Sequence, residues 1–295
     1  MDINKEIKLV SLQVRLTRIV IMGILLSPMV FLLYDLSLVA VISNSSLLLI
    51  MSWIFFICGN CLLIYSWYHA YYKSSLGKLE NLVTAYDFAT TMFESNIDKA
   101  TRLMTVDAIF SNETYKAHLD KTILYVDNTG EGYVYSTDRY DSSMIVFSAE
   151  IPFSFAPSVI SFIMAHEICH IKFRDSSFLI LVSKYKRPSL AVFVPALCLT
   201  YVVCGLLPAI IFATTSLLIL PYLISLSHRL TEKRSDLYAY SQDFCAGGID
   251  FFMSQINHQN KVSLRQKVSS IFSTHPQDKE RLKIALKYLS YHPQQ

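Results

Sequence analysis

The stretch FIMAHEICHIKFRD, Phe162 to Asp175, sets His166, Glu167 and His170 inside an apolar run. Residues four apart on a helix share a face, so the two imidazoles can be offered to one ion, with the Glu167 carboxylate alongside. Zinc bound in this way brings the pKa of its water towards neutrality. The carboxylate can then act as general base while that water attacks a peptide carbonyl. Pro157 opens the helix, and Ile160, Ile163 and Met164 lead into the histidines. Cys169, about 100° around the helix from His170, is expected to pack inwards.

Two histidines leave such an ion short, because a catalytic zinc usually takes three protein ligands and a water. The extension H-E-x-x-H-x-x-G-x-x-H is excluded by Phe173 and Ser176. Further on, RLTEKRSDLYAY places Glu232 four residues before Asp236, on one helix face. Glu232 can close the metal site, and Asp236 can hydrogen-bond the outer nitrogen of a zinc histidine. Alone, such a pair is a common solvated helix face, and its weight comes from the first motif. His228 can approach the metal or serve as a juxtamembrane anchor.

The chain around these motifs has 295 residues, 53% hydrophobic and 17% charged, the balance of a membrane protein carrying a soluble part. A net charge of +3 is too small to imply a nucleic-acid partner. From Ile19 to Ile42 only Asp35 is charged, and from Leu47 to Tyr68 nothing is, so two spans joined by SNSS form a hairpin. Pro188 to Ser227 is uncharged as well and reads as a second hairpin turning near CGLLP, Cys204 to Pro208, or as a re-entrant pair. Lys5, Lys8, Arg15, Arg18, Lys73, Lys78, Lys184, Lys186, Arg187, Arg229, Lys233 and Arg234 flank the spans, and the tight turns carry no positive charge. By the positive-inside rule both termini and the polar region between the hairpins face the cytoplasm. Asp35, close to the far interface, reads as a hydrated or capping carboxylate. The six cysteines imply no disulfide framework, and Cys58 and Cys61 read as small packing residues in a span.

Four parts follow: 1–72, a transmembrane hairpin; 73–187, the first part of a catalytic domain; 188–227, a second hairpin; and 228–295, the rest of the domain. The polar region starts helix-like in LENLVTAYDFATTMF and NIDKATRLMTVDAIF. It turns strand-like in KTILYVDNTGEGYVYSTD, around Gly130 and Gly132, and in SMIVFSAEI. The expected class is α+β, mostly helical, with a small sheet and two membrane hairpins.

Three segments in order, HEICHIKFRD (His166 to Asp175), EKRSD (Glu232 to Asp236) and STHPQDKERL (Ser273 to Leu282), resemble the HtpX-type membrane zinc metallopeptidases. These are relatives of the CAAX prenyl endopeptidases and the Oma-type mitochondrial proteases. The chain departs from the family pattern at Ser235, where alanine is usual, and at His228, where serine is common. It also lacks a recognisable Asn-Ala segment ahead of the active-site helix. The resemblance implies a zincin-like domain with Zn2+ held by His166, His170 and Glu232, Glu167 as general base and Asp236 as partner of a zinc histidine. It further implies His275 as a donor to the developing oxyanion, with a helix-capping histidine as the alternative, and Arg281 as a brace or substrate contact. The strand Ser143 to Ile151 would pair with an extended substrate or sit inside the sheet. The implied protein is a multi-pass enzyme of the bacterial inner membrane that cleaves membrane or misfolded proteins at the cytoplasmic face. Its partners would be protein or peptide substrates and the lipid bilayer. A CAAX prenyl-type endopeptidase and a non-catalytic membrane adaptor are the alternatives, and the intact Glu167 argues against the second.

Overall fold

The computed structural model describes residues 2–43, 97–117, 122–127, 134–138, 143–148, 151–258 and 276–291, with a few other positions up to 119. In chain order the helices are α1 (Ile3–Ile42), α2 (Ile97–Lys116), α3 (Ile151–Ser154), α4 (Pro157–Lys172), α5 (Asp175–Cys204), α6 (Leu206–Thr214), α7 (Leu220–Tyr240), α8 (Cys245–His258) and α9 (Asp278–Tyr291). The strands are β1 (Val83–Thr84), β2 (Thr122–Asp127), β3 (Val134–Asp138) and β4 (Ser143–Ser148). Two compact units result. One comprises Met1–Gln13, Ser75–Ser177 and His228–Gln295, the other Val14–Ser74 and Phe178–Ser227. Relative to the divisions read from the sequence, residues 1–13 group with the polar part and 178–187 with the apolar part.

In the first unit the sheet has the order β1-β2-β4-β3. β4 runs parallel to β2, with Leu124 opposite Ile145, and antiparallel to β3, with Val134 opposite Phe147. Alternate residues of a strand share a face, so Ile145 and Phe147 join Leu124 and Val126 in one apolar layer. Leu103, Val106 and Phe110 of α2 and Ile160, Met164, Ile168 and Ile171 of α4 complete that core. The spacing of the α4 residues marks one helix stripe, and this stripe leaves Ile163, His166, Glu167 and His170 on another side. Because β4 is paired along both edges, it cannot take an extended substrate. Among the described strands the outer positions belong to β1 and β3, and β3 is the one beside β4. The sequence reading of LENLVTAYDFATTMF as helix is also corrected at Val83–Thr84, a β-branched pair that hydrogen-bonds antiparallel to Val126 and Tyr125. Gly130 and Gly132 lie outside the described residues.

In the second unit Ile21, Leu25 and Val182 form one apolar cluster with Phe178 and Leu223. Phe193, Ala196 and Phe212 form another, with the two rings stacked at 5.3 Å between centroids. The expected turn near CGLLP falls at Gly205, whose φ of 91° suits a residue without a Cβ and separates α5 from α6. Between α6 and α7 the helix widens into a π turn at Thr215–Ile219. Pro221 follows at once and has no N–H with which to close the preceding α turn. Ile3–Ile42 and Leu206–Tyr240 are long and apolar enough to cross a bilayer, so membrane association is possible. The span read at Leu47 to Tyr68 lies largely outside the described residues. Of the two roles expected of Asp35, hydrated or capping, the hydrated one does not hold. Asp35 is fully buried and accepts a hydrogen bond from Thr200 Oγ1 at 2.8 Å, with Cys204 Sγ at 3.7 Å. A carboxylate removed from water needs such donors.

Candidate active site

The site is assembled on α4. Pro157 stands in the first turn, behind the extended N-cap residue Ala156, and the helix is apolar on nearly every side. It ends at Phe173 and Arg174, and Arg174 takes a left-handed φ of 52°. This two-residue link starts α5 at once, placing Asp175 beside His170. A second helix, α7, brings Glu232, Ser235 and Asp236, and α9 brings Arg281 on its first turn.

His166 Nε2 and His170 Nε2 face each other at 3.1 Å, and each lies 3.4 Å from an oxygen of Glu232. Four ligands about 2.05 Å from a tetrahedral zinc are separated by about 3.3 Å, so the two imidazole nitrogens and the Glu232 carboxylate, which turns a different oxygen to each, have the spacing of three corners of a zinc site. The outer nitrogens explain why. His166 Nδ1 donates to Asp236 Oδ1 at 2.9 Å, and His170 Nδ1 donates to Asp175 Oδ2 at 2.9 Å, with Ser235 Oγ 3.3 Å away. An ionised carboxylate only accepts, so each Nδ1 carries a proton and each Nε2 presents a lone pair. Two lone pairs and a carboxylate converging on one point call for a cation.

Each supporting carboxylate is held in turn by a buried arginine. Arg281 Nε and Nη2 donate to the two oxygens of Asp236 at 2.8 and 2.7 Å. Arg234 Nη2 reaches both oxygens of Asp175 at 2.6 Å, and its guanidinium lies over the Phe173 ring at 4.0 Å. Arg234 is only 2% exposed. Burial works against a charged imidazole at His166, but Asp236 and Glu232 outweigh it and hold His166 above its usual range. Burial is likewise outweighed at His170, by Asp175, Glu232 and Glu167, which lift it well above its usual range. Asp175 shows the opposite result, since His170 and Arg234 overcome its burial and hold it well below the ordinary carboxylate range.

A cavity of about 260 Å³ opens beside these groups, with His166, Glu167, Glu232 and Arg281 in its lining. The structure therefore gathers His166, Glu167, His170, Glu232, Asp236 and Arg281 in one place. His275 lies outside the described residues. The sequence reading gave Asp175 no role and took Arg234 only as a positive charge flanking a span, whereas here both are buried in the site. The available signal was that a second zinc histidine also needs a partner for its outer nitrogen, and an acid opens the next helix.

A helix carrying two histidines and a carboxylate, closed by a glutamate from a second helix, is the arrangement of a metallopeptidase. Residues 140–289, half of the chain, match Peptidase family M48, and the chain belongs to that family of metallopeptidases. No curated protein matches it.

Proposed function

We propose that this chain is a membrane-embedded, HtpX-type zinc endopeptidase that hydrolyses membrane or misfolded proteins at the cytoplasmic face of a bacterial inner membrane. The observation that carries this reading is the convergence of His166 Nε2, His170 Nε2 and the Glu232 carboxylate within 4.8 Å of one another. A zinc ion held there would supply Lewis acidity to a water and to a substrate carbonyl. Glu167 lines the same cavity, takes the proton of the attacking water and hands it to the leaving amine. Asp236 and Asp175 keep the Nδ1 protons of His166 and His170 and so aim both Nε2 atoms inwards. His275 is assigned, on the family resemblance, as the donor to the developing oxyanion. Arg281 braces Asp236.

An extended substrate would add to the sheet along β3, the edge strand, whose first residue Val134 lines the cavity. β3 is itself anchored at mid-strand, since Ser176 Oγ, at the start of α5, donates to the Ser136 carbonyl at 3.0 Å. The apolar helices Ile3–Ile42 and Leu206–Tyr240 and their flanking positive charges support the membrane placement.

The test is zinc content and casein or peptide cleavage by the full chain in detergent. Wild type is expected to hold about one zinc and to cleave. Glu167→Gln should keep the zinc and lose turnover, whereas Glu232→Ala should lose both. A Glu167→Gln protein with normal turnover would overturn the mechanism.

A further inference from the structure

The cavity does not end at the catalytic groups. Phe155, Phe162 and Phe251 form an aromatic wall, and Val134, Ile151 and Ile163 supply the aliphatic remainder. Among the described residues, every ionisable group lining the cavity belongs to the metal site, and Gln255 is the one other polar side chain. From these facts we infer that the cavity is a specificity pocket that selects substrates with a large apolar side chain, aromatic above all, beside the scissile bond. This inference rests on the peptidase reading above.

The sequence builds the pocket in identifiable steps. Ile163 sits one turn ahead of His166 and Glu167 on the same side of α4, so an apolar side chain lies next to the catalytic carboxylate. Phe251 and Gln255, four apart, share one side of α8. The pair Gly247 and Gly248 lets α8 lie close against α4. A Cβ on Gly247 would stand 2.1 Å from the Ser158 carbonyl oxygen, and one on Gly248 would stand 3.0 Å from Phe162 Cε2. That approach sets Phe251 against the two rings of the wall, 5.8 Å from Phe155 and tilted by 57°, and 6.1 Å from Phe162 and tilted by 41°. Tilted rings at this spacing can accept another ring edge to face.

The same lining excludes other side chains. Arg281 is engaged by both oxygens of Asp236, and the histidines and Glu232 face one another, so a charged substrate side chain would enter the apolar end without a partner of its own. Desolvating a charge there is costly. A small side chain would leave the wall unfilled and forgo its burial. Tyrosine remains admissible, because Gln255 offers its hydroxyl a partner. Side chains of this kind are hidden in folded soluble proteins and available in membrane segments and unfolded chains, which agrees with the proposed substrates.

The experiment uses zinc-loaded full-length protein and a set of quenched fluorescent peptides varied at the two positions flanking the cleaved bond. At one of these positions, peptides with Phe, Tyr, Leu or Met should be cleaved with kcat/KM at least about thirtyfold above those with Ala, and further above those with Asp or Lys. Phe251→Trp, which fills the pocket, should lower the Phe-to-Ala ratio at least about tenfold. Phe155→Ala, which enlarges it, should shift the optimum towards Trp. Zinc content is read in parallel for each variant. Cleavage with no side-chain preference, or with a preference for small or charged residues, would overturn the pocket while leaving the peptidase reading in place. Failure of the zinc-loaded protein to cleave any peptide or casein would overturn both.

Discussion

Asp175 makes two contacts that a pair of substitutions can separate. Its carboxylate fixes the outer nitrogen of His170 and neutralises Arg234, which is buried. Asp175→Ala therefore removes the partner of His170, a proposed metal ligand, and strands a buried guanidinium. Breaking a buried pair from one side costs about 3–5 kcal/mol, which for a domain of this size lowers Tm by roughly 10 °C. Loss of the imidazole's partner should also weaken zinc binding by about 10- to 100-fold. In the double variant Asp175→Ala/Arg234→Met no charge is left unpaired, and methionine still covers Phe173. Most of the lost stability should return, because a buried pair exchanged for apolar groups is close to neutral. Zinc affinity should stay low, since His170 still lacks its acceptor. The assays are Tm of the chelator-treated protein and zinc affinity by chelator competition. If the double variant recovers zinc affinity together with Tm, Asp175 acts through Arg234 alone and the argument for imidazole orientation fails.

The raised values at His166 and His170 predict opposite pH responses with and without metal. Protonated imidazoles stabilise the metal-free fold below about pH 6.5 and lose that contribution as pH rises through their elevated folded values, so the Tm of chelator-treated protein should fall from pH 6 to pH 8. With zinc, which needs the deprotonated ligands, Tm should rise over the same range, and parallel curves would refute the assignment of these ligands. Gly247→Ala should cost about 1–3 kcal/mol in a denaturation measurement, because the new methyl would stand 2.1 Å from backbone at Ser158, and unchanged stability would show that α8 can move away. Accessibility tags at residue 1, within 100–120 and at the C terminus should report the cytoplasm and a tag in SNSS the other side. The basis is the charge asymmetry around the spans, and external labelling near residues 100–120 would reverse the topology.

The parts of the site that were legible in the sequence are those written locally. His166, Glu167 and His170 are one helix turn apart, as are Glu232 and Asp236, so helical period alone gives their relative placement. The Pro157 start of α4, the strand character of β2 to β4 and the break at Gly205 are local signals too. What escaped was set by pairing across long separations. Arg234 meets Asp175 over 59 residues, and Thr200 meets Asp35 over 165. Neither residue of such a pair is distinguishable in sequence from an ordinary solvated charge or span residue. The position of β4 was hidden for a related reason. An apolar strand reads the same whether one or both of its edges are paired, and only the sheet order reveals that the edge is β3.

From the two converging Nε2 atoms outwards, two arms repeat one sequence of groups: imidazole, aspartate, arginine. Stability does not account for that repetition, since taking an arginine and an aspartate out of water costs about as much as their attraction returns. Orientation does account for it. A carboxylate held by one partner can still turn about its own bond. One that accepts from a guanidinium as well as an imidazole is fixed in plane and direction, and the Nδ1–H it accepts is fixed with it. The two Nε2 atoms are thereby aimed at a common point, 3.1 Å apart. The arms differ at their outer ends. Arg234 is sealed under Phe173, whereas Arg281 also lies 3.6 Å from Glu232 and lines the cavity, so of the two arginines it is Arg281 that borders the space in which a substrate would sit.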